Sequence, residues 1–348
     1  MIDNLGQSII SEIRQIIGTA RENVAKQVNK ELLLAYWQIG KIIIEFEQDK
    51  KFDDKSSRQL ILDLSSSLTK ELGKGFSRSN LFNMRKFYLL YPSVQSLTGQ
   101  LTWTHYCELL AIADEHARSF YEKEALNSRW SVREMKRQIS TSLFERLLLS
   151  KGEVNQQKVL ELAKAGIVYN APQDLLRDPY VFEFLNLPED KPILEKDLEK
   201  ALIIQIEKFL LELGRGFMFV GSQQRITLGN THYFIDLVFY NKILKAYVLI
   251  DLKMTSLMPE HFGQMNMYVN YYHTEVNDEG DNPPIGILLC TNKDMIVAEY
   301  ALGGLSTNIF ASTYVKYIPN KEQLIQQVEY VLNKNKESFR SGQEMVDD

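Results

Sequence analysis

The sequence is poor in the residues that several common chemistries need. Its five histidines, His105, His116, His232, His261 and His273, form no H-x-x-x-H pair, so a zinc centre on helix-spaced imidazoles is excluded. The two cysteines, Cys107 and Cys290, fall in different halves of the chain without metal-ligand spacing, and reduced, buried thiols are the expectation. There is no G-x-x-x-x-G-K-[ST] loop to cradle a nucleotide and no G-x-S-x-G elbow for a serine nucleophile; ATP-driven work and serine hydrolysis therefore lack their parts. No apolar run is long enough to cross a bilayer, and the start, MIDNLGQSII, puts no basic segment ahead of an apolar one. A soluble, cytoplasmic protein without a membrane partner is expected. No internal repeat or low-complexity segment is visible.

Positive charge is also short. A net charge of -5 over 348 residues argues against a wholesale polyanion binder. The deficit is uneven, however: residues 1–150 hold more Lys and Arg than Asp and Glu, and the remainder reverses the balance. A basic N-terminal part can then supply phosphate contacts to an acidic partner domain.

What is present first is helical periodicity. Ile9, Ile10, Ile13, Ile16 and Ile17 form one apolar stripe, and Leu33, Tyr36, Trp37, Ile39, Ile43 and Ile44 a second. A polar break at residues 49–57 precedes the helix at Leu60 to Leu72. In GKGFSRSNLFNMRKFYLLYP, Gly73 and Gly75 close that helix, Ser77 can cap the next, and Pro92 follows its end. The short helix puts Leu81, Met84 and Tyr88 on one face and leaves Arg78, Arg85 and Lys86 largely elsewhere, resembling the recognition half of a helix-turn-helix. A second unit, WSVREMKRQI, has a capping box in Ser131 and Glu134, with Val132, Met135 and Ile139 facing inward and Arg133, Lys136 and Arg137 facing out. These six basic residues are the candidate nucleic-acid contacts of the first part; ordinary solvated helix faces are the competing reading. Residues 1–150 are thus expected to be an all-helical domain binding DNA or a partner protein, and 151–172 a linker with a helical turn.

The second half is organised around YFIDLVFYNKILKAYVLIDLKM. Two apolar segments, Tyr233 to Tyr240 and Ala246 to Leu252, flank a polar turn at Asn241 and Lys242 and predict a β-hairpin. Each carries one acid among hydrophobes, Asp236 and Asp251, and Lys253 follows on the same face as Asp251. An Asp inside an apolar strand is costly to desolvate unless paired or bound to a cation, so two of them beside one Lys point to chemistry. Mg²⁺ suits such a set, because it takes hard oxygens: two carboxylates, a strand carbonyl such as that of Leu252, water and phosphate. Upstream, Leu194 to Leu213 reads as one helix carrying Glu199, Glu207 and Glu212, the last two expected on a solvated face. Gln223 and Arg225 alternate on the following strand, where they either touch substrate or form the wet side of an edge strand. Downstream, Phe262, Met265, Tyr268, Val269 and Tyr272 give a helix, Ile285 to Cys290 a buried strand, Asp294 to Ala301 a helix, Phe310 to Val315 a strand, and Lys321 to Leu332 a closing helix.

Asp236 on one strand and Asp251-Leu252-Lys253 on the next resemble the active-site signature of the PD-(D/E)xK nuclease superfamily, with Ile235 where a Pro often stands. Taken in order, GKGFSRSNLFNMRKFYLLYP, WSVREMKRQI, DPYVFEFL, DLEKALI, FLLELGRGFMFVG, YFIDLVFY, DLKMTSLMPEHFGQMNMYV and PPIGILLC resemble the YhcG-like bacterial proteins almost end to end. The resemblance implies an α+β two-domain chain: a helical N-terminal domain with helix-turn-helix-like elements, then a restriction-endonuclease-like α/β domain, residues 173–340, with a central mixed sheet flanked by helices. Residues 341–348 are expected to be a disordered tail. It further implies a metal-dependent DNA endonuclease using Mg²⁺, or Mn²⁺ in its place. Asp236, Asp251 and the Leu252 carbonyl would hold the metal, Glu199 would be an auxiliary ligand, Lys253 would orient water or stabilise charge, and Gln264 would orient substrate or water. A homodimer would offer two sites for two strands. The alternative is a catalytically silent adaptor that keeps the fold for DNA or protein binding.

Overall fold

The computed structural model describes residues 2–93, 99–150, 156–188, 194–292 and 308–344. It divides into two compact units, Met1–Met135 and Lys136–Asp348.

The first unit is helical: α1 (Ile2–Asp49), α2 (Asp54–Leu72), α3 (Arg78–Leu90), α4 (Trp103–Leu110), α5 (Glu115–Ser128) and the start of α6 (Val132–Ser140). The two N-terminal stripes belong to one continuous helix. Its core half packs Ile43 against Ile61 of α2 and Leu81 and Met84 of α3. The close approach of α1 and α3 depends on Gly40, where a Cβ would stand 2.1 Å from the Met84 carbonyl oxygen. Leu33 is the first buried side chain on α1 among the described residues, whereas Ile9, Ile10, Ile13, Ile16 and Ile17 are exposed. The first stripe therefore does not enter this core, because the other helices pack against α1 only farther along.

Caps fall where the side chains predict them. Asp53 accepts the Ser56 N–H at 2.9 Å to start α2, Ser77 accepts that of Asn80 to start α3, and Ser131 and Glu134 exchange both bonds of their box at the head of α6.

The second unit contains the rest of α6, α7 (Leu143–Ser150), α8 (Gln156–Ala165), β1 (Tyr180–Val181), α9 (Glu195–Ile204), α10 (Ile206–Leu213), β2 (Phe217–Leu228), β3 (Thr231–Asn241), β4 (Ala246–Ser256), α11 (Pro259–Tyr271), β5 (Ile285–Asn292), β6 (Ile309–Val315) and α12 (Lys321–Glu344). The six strands form one mixed sheet in the order β1-β6-β5-β4-β3-β2. β2, β3 and β4 are an antiparallel meander; β4, β5, β6 and β1 are parallel. Helices explain the buried character of β4 and β5. On one face Phe262, Met265 and Val269 of α11 pack on Leu249 and Leu288; elsewhere Phe209 of α10 meets Phe239 of β3 edge to face.

Four details depart from the expectation. The helix read as Leu194 to Leu213 is broken at Gln205 into α9 and α10. The dipeptide strand β1, hidden in DPYVFEFL, pairs with β6 through Tyr180 and Val181. The closing helix runs past Leu332 to Glu344, into the segment expected to be a disordered tail. The helix expected at Asp294 to Ala301 lies outside the described residues.

Candidate active site

The site forms where β3 and β4 part. Their ladder runs from Asn241↔Ala246 to Leu237↔Ile250, and one further step in the same register sets Asp236 opposite Asp251. There a side chain replaces the ladder: the Leu252 backbone N–H donates to Asp236 Oδ2 at 2.8 Å. A strand residue directs its N–H and C=O to the same side, so the Leu252 carbonyl also faces the opening between the strands. Asp251 is 3% exposed, and Lys253 Nζ lies 2.8 Å from its Oδ2. Asp236, Asp251 and Lys253 therefore converge as their spacing predicts.

Two further residues, both exposed, border the opening. Gln223 Nε2 donates to Glu199 Oε2 at 2.8 Å and to Asp236 Oδ1 at 3.0 Å, joining α9 to the hairpin. Flanking pairs Ser222↔Leu237 and Gln224↔Ile235 put Gln223 directly across from Asp236. It holds a positive φ of 47°, uncommon for a residue with a side chain and of a kind that costs on the order of 1–3 kcal/mol. Glu195, one helical turn before Glu199, accepts the Met254 N–H at 3.2 Å and brings its other oxygen to 3.9 Å from Lys253 Nζ. Sequence reasoning missed Glu195; the signal was its place four residues before Glu199 on the same helix face.

The electrostatics follow from burial and crowding. Burial first, then the charge of Asp251, pushes the Asp236 carboxyl up to about 6. Burial also raises Asp251 against the pull of Lys253, and burial raises Glu199 despite the Gln223 bond, with Asp236 adding repulsion. Burial opposes the Lys253 ammonium, but Asp251, Glu195 and Asp236 outweigh it and raise its pKa. The surroundings thus favour the ammonium of Lys253 and disfavour the charged form of both acids.

Gln264 is joined to the hairpin through Tyr268. Its amide donates to the Tyr268 hydroxyl, which donates to the Phe234 carbonyl at 3.0 Å, two residues before Asp236. Tyr268 is wholly buried, so it supports the hairpin and offers no face for stacking. Arg225, exposed on β2, pairs across to Phe234.

The basic candidates divide. Arg78, Lys86, Arg133 and Lys136 are exposed, with the Arg78 guanidinium 5.7 Å from the Phe82 ring centroid. Arg85 is instead tied to the buried Glu47 at 2.7 Å. Arg137 corrects the sequence reading most plainly: expected to face out, it bonds Glu183, Glu212 and the Val181 carbonyl. Glu212, expected on a solvated face, has no exposure at all and also holds Arg146 at 2.7 Å. An uncompensated acid at that depth recruits arginines from α6 and α7.

Among the described residues, no three His, Cys, Asp or Glu side chains close a metal cage by themselves. Two opposed carboxylates, a third linked through Gln223, and a free-edge carbonyl are nevertheless an all-oxygen donor set open to water and phosphate, the kind Mg²⁺ accepts.

An acid on one strand, acid-x-Lys on its antiparallel neighbour and a mixed sheet covered by helices make this a restriction-endonuclease-like domain of the PD-(D/E)xK class. Residues 173–329 match the family described as YhcG PDDEXK nuclease domain, and residues 12–146 match the DUF1016 N-terminal domain. The chain is 35% identical over 350 residues to a protein of Escherichia coli (strain K12) named "Putative nuclease YhcG", spanning 91% of this chain and 92% of that one. It therefore belongs to the YhcG family, whose second domain is a PDDEXK nuclease domain. A crystal structure of a repair endonuclease from Pyrococcus abyssi aligns at 19% identity and a TM-score of 0.25 over 35% of this chain and 48% of that one, a likeness too slight to bear on function. No helix among the described residues is long and apolar enough to cross a membrane.

Proposed function

We propose that the protein is a divalent-cation-dependent endonuclease that hydrolyses phosphodiester bonds of DNA. The observation that carries the reading is the meeting of Asp236, Asp251 and Lys253 at the parting of β3 and β4. A buried Asp251 and a half-buried Asp236 set opposite each other disfavour each other's charge, a cost that Lys253 offsets at Asp251 and a bound cation would offset for both.

Asp236, Asp251, Glu199 and the Leu252 carbonyl would hold Mg²⁺, with Mn²⁺ as its substitute. When bound, the ion supplies charge neutralisation at the scissile phosphate and acidifies water. Lys253 keeps its proton at Nζ, because the neighbouring acids favour the ammonium, so it acts as a fixed positive charge toward the phosphorane rather than as a base. Asp251 aims that ammonium. Gln264, held beside β3 by Tyr268, orients substrate or water. Arg78, Lys86, Arg133, Lys136 and Arg225 supply phosphate contacts.

The test is cleavage of supercoiled plasmid and of branched oligonucleotides with Mg²⁺ or Mn²⁺, beside Asp251→Ala and Lys253→Ala. Metal-dependent cutting by the wild type, slowed about 10²- to 10³-fold by Lys253→Ala and lost in Asp251→Ala, is expected. No cutting of any substrate, with DNA binding retained, would replace the nuclease by the silent adaptor. A homodimer would set one site on each strand; light scattering in solution gives the mass, and a monomer that cuts both strands would remove the need for one.

A further inference from the structure

Glu199 stands on a different element from the other acids and has no strand register to hold it at the opening. Glu195 ties the start of α9 to β4; Glu199, at 7% exposure, is itself joined to Asp236 through the Gln223 side chain. One amide nitrogen has two hydrogens, and here each is spent on a different carboxylate: Oε2 of Glu199 and Oδ1 of Asp236. The other oxygen of Asp236 is already engaged by the Leu252 N–H. Gln223 therefore puts a partial positive charge between two acids that would otherwise repel. The backbone is bent to do it, since a φ of 47° in the middle of β2 is a conformation a glutamine adopts only where its surroundings demand it. Ladder pairs on both sides, Ser222↔Leu237 and Gln224↔Ile235, hold the residue in place. An ordinary wet edge residue would need neither the bent backbone nor a shared amide.

We infer that Gln223 is a positioning residue that makes Glu199 a member of the cation site by clasping it to Asp236. The inference rests on the cation-dependent reading above. It assigns to Gln223 a role toward the acids in place of the substrate contact its position on β2 first suggested, and it makes the α9 contribution conditional on one side chain of β2. Without the clasp, Glu199 is released from the opening and the cation loses that donor.

The experiment is a calorimetric titration of the full-length protein with Mn²⁺ alone, without nucleic acid. Wild type, Asp251→Asn, Glu199→Gln, Gln223→Gly, Gln223→Ala and the Gln223→Gly/Glu199→Gln double variant are compared. Glycine accepts the positive φ without strain, so Gln223→Gly removes the clasp and keeps the bend; Gln223→Ala guards against an effect of added chain freedom. The expected result is a Mn²⁺ affinity about tenfold weaker in Gln223→Gly and Gln223→Ala, in the range for residues that orient a metal ligand. Glu199→Gln should match that loss, and the double variant should be no weaker than either single change. Unchanged affinity on removing Gln223 makes it a spectator, tighter binding makes it a competitor for the cation, and additive losses make it independent of Glu199; each overturns the inference. If the wild type binds Mn²⁺ and Asp251→Asn does not, those outcomes leave the cation site standing. If the wild type binds none, both readings fall together.

Discussion

Arg146 Nη1 stands 2.7 Å from Glu212 Oε1, and both side chains are wholly excluded from solvent. Arg137 Nη1 reaches the other oxygen of Glu212 at 3.0 Å, and the Val181 N–H donates to Glu212 Oε1 at 3.0 Å. One acid of α10 thus holds α6, α7 and β1 together. Burial opposes its charge, but Arg146, Arg137 and Arg177 together outweigh that and bring its pKa down to about 2.

Removing one member of such a group leaves buried charges without a partner. Glu212→Ala is expected to lower stability by about 3–5 kcal/mol, read from urea denaturation; a loss below about 1 kcal/mol would show that the arginines find other partners. The pH dependence has a definite sign. An acid whose folded pKa is depressed contributes fully above its unfolded value, near pH 4.3 for glutamate, and loses that contribution as pH falls through the folded one. The stability gap between the wild type and Glu212→Gln should therefore shrink between about pH 4 and pH 2.

The same group sets the limits of the folding unit. Arg137 and Arg146 fall in the stretch that matches the N-terminal family, yet they neutralise an acid in the stretch that matches the nuclease domain. A chain beginning at residue 136 should unfold cooperatively. One beginning at residue 173 should show no cooperative transition, because Glu212 would lose both arginines; circular dichroism during heating distinguishes the two, and equal midpoints would refute the assignment.

The hairpin and its charges were legible because strand geometry is local: alternation puts Asp251 and Lys253 on one face, and a short turn fixes the partner strand and hence the place of Asp236. Caps were legible for the same reason. Arg137 and Glu212 were not, since periodicity separates faces of a helix but cannot say which charged face another helix will cover. Gln223 was assigned to β2 but not to Glu199 and Asp236, because its positive φ departs from the alternation on which the sequence reading relied. The exposed isoleucines of α1 fail in the opposite direction, since an apolar stripe states what a helix can bury and is silent about what lies within reach.

The crowding of acids at the hairpin predicts a conflict between stability and activity. Asp236 sits where burial and Asp251 disfavour its charge, so the folded state is penalised at neutral pH. Asp236→Asn keeps an oxygen to accept the Leu252 N–H and removes one charge. It should raise the thermal midpoint without divalent ions, by an amount corresponding to about 1–3 kcal/mol, while abolishing cleavage and the Mn²⁺-linked stabilisation. A lower midpoint would mean that the Gln223 bond matters more than the repulsion.

The basic residues divide by what already holds them, which separates the proposed DNA contacts from structural ions. Arg78 and Lys86 are exposed on α3, whereas Arg137 is held by Glu183 and Glu212. A lysine or arginine that neutralises a phosphate releases counterions on binding, and its loss lowers the slope of log affinity against log salt by about 0.9. Arg78→Ala and Lys86→Ala should each weaken DNA binding and flatten that slope by about one contact, with the folded state intact, because neither side chain is part of a core ion pair. Arg137→Ala should leave the slope unchanged and lower the urea midpoint, since its charge is spent inside the protein. Fluorescence anisotropy with a labelled duplex at several salt concentrations, beside urea titrations of the same variants, measures both quantities. A flattened slope in Arg137→Ala would refute its purely structural role, and an unchanged one in both α3 variants would remove α3 as the DNA-binding element and leave Arg133 and Lys136 of α6 and Arg225 of the sheet edge to carry the phosphate contacts.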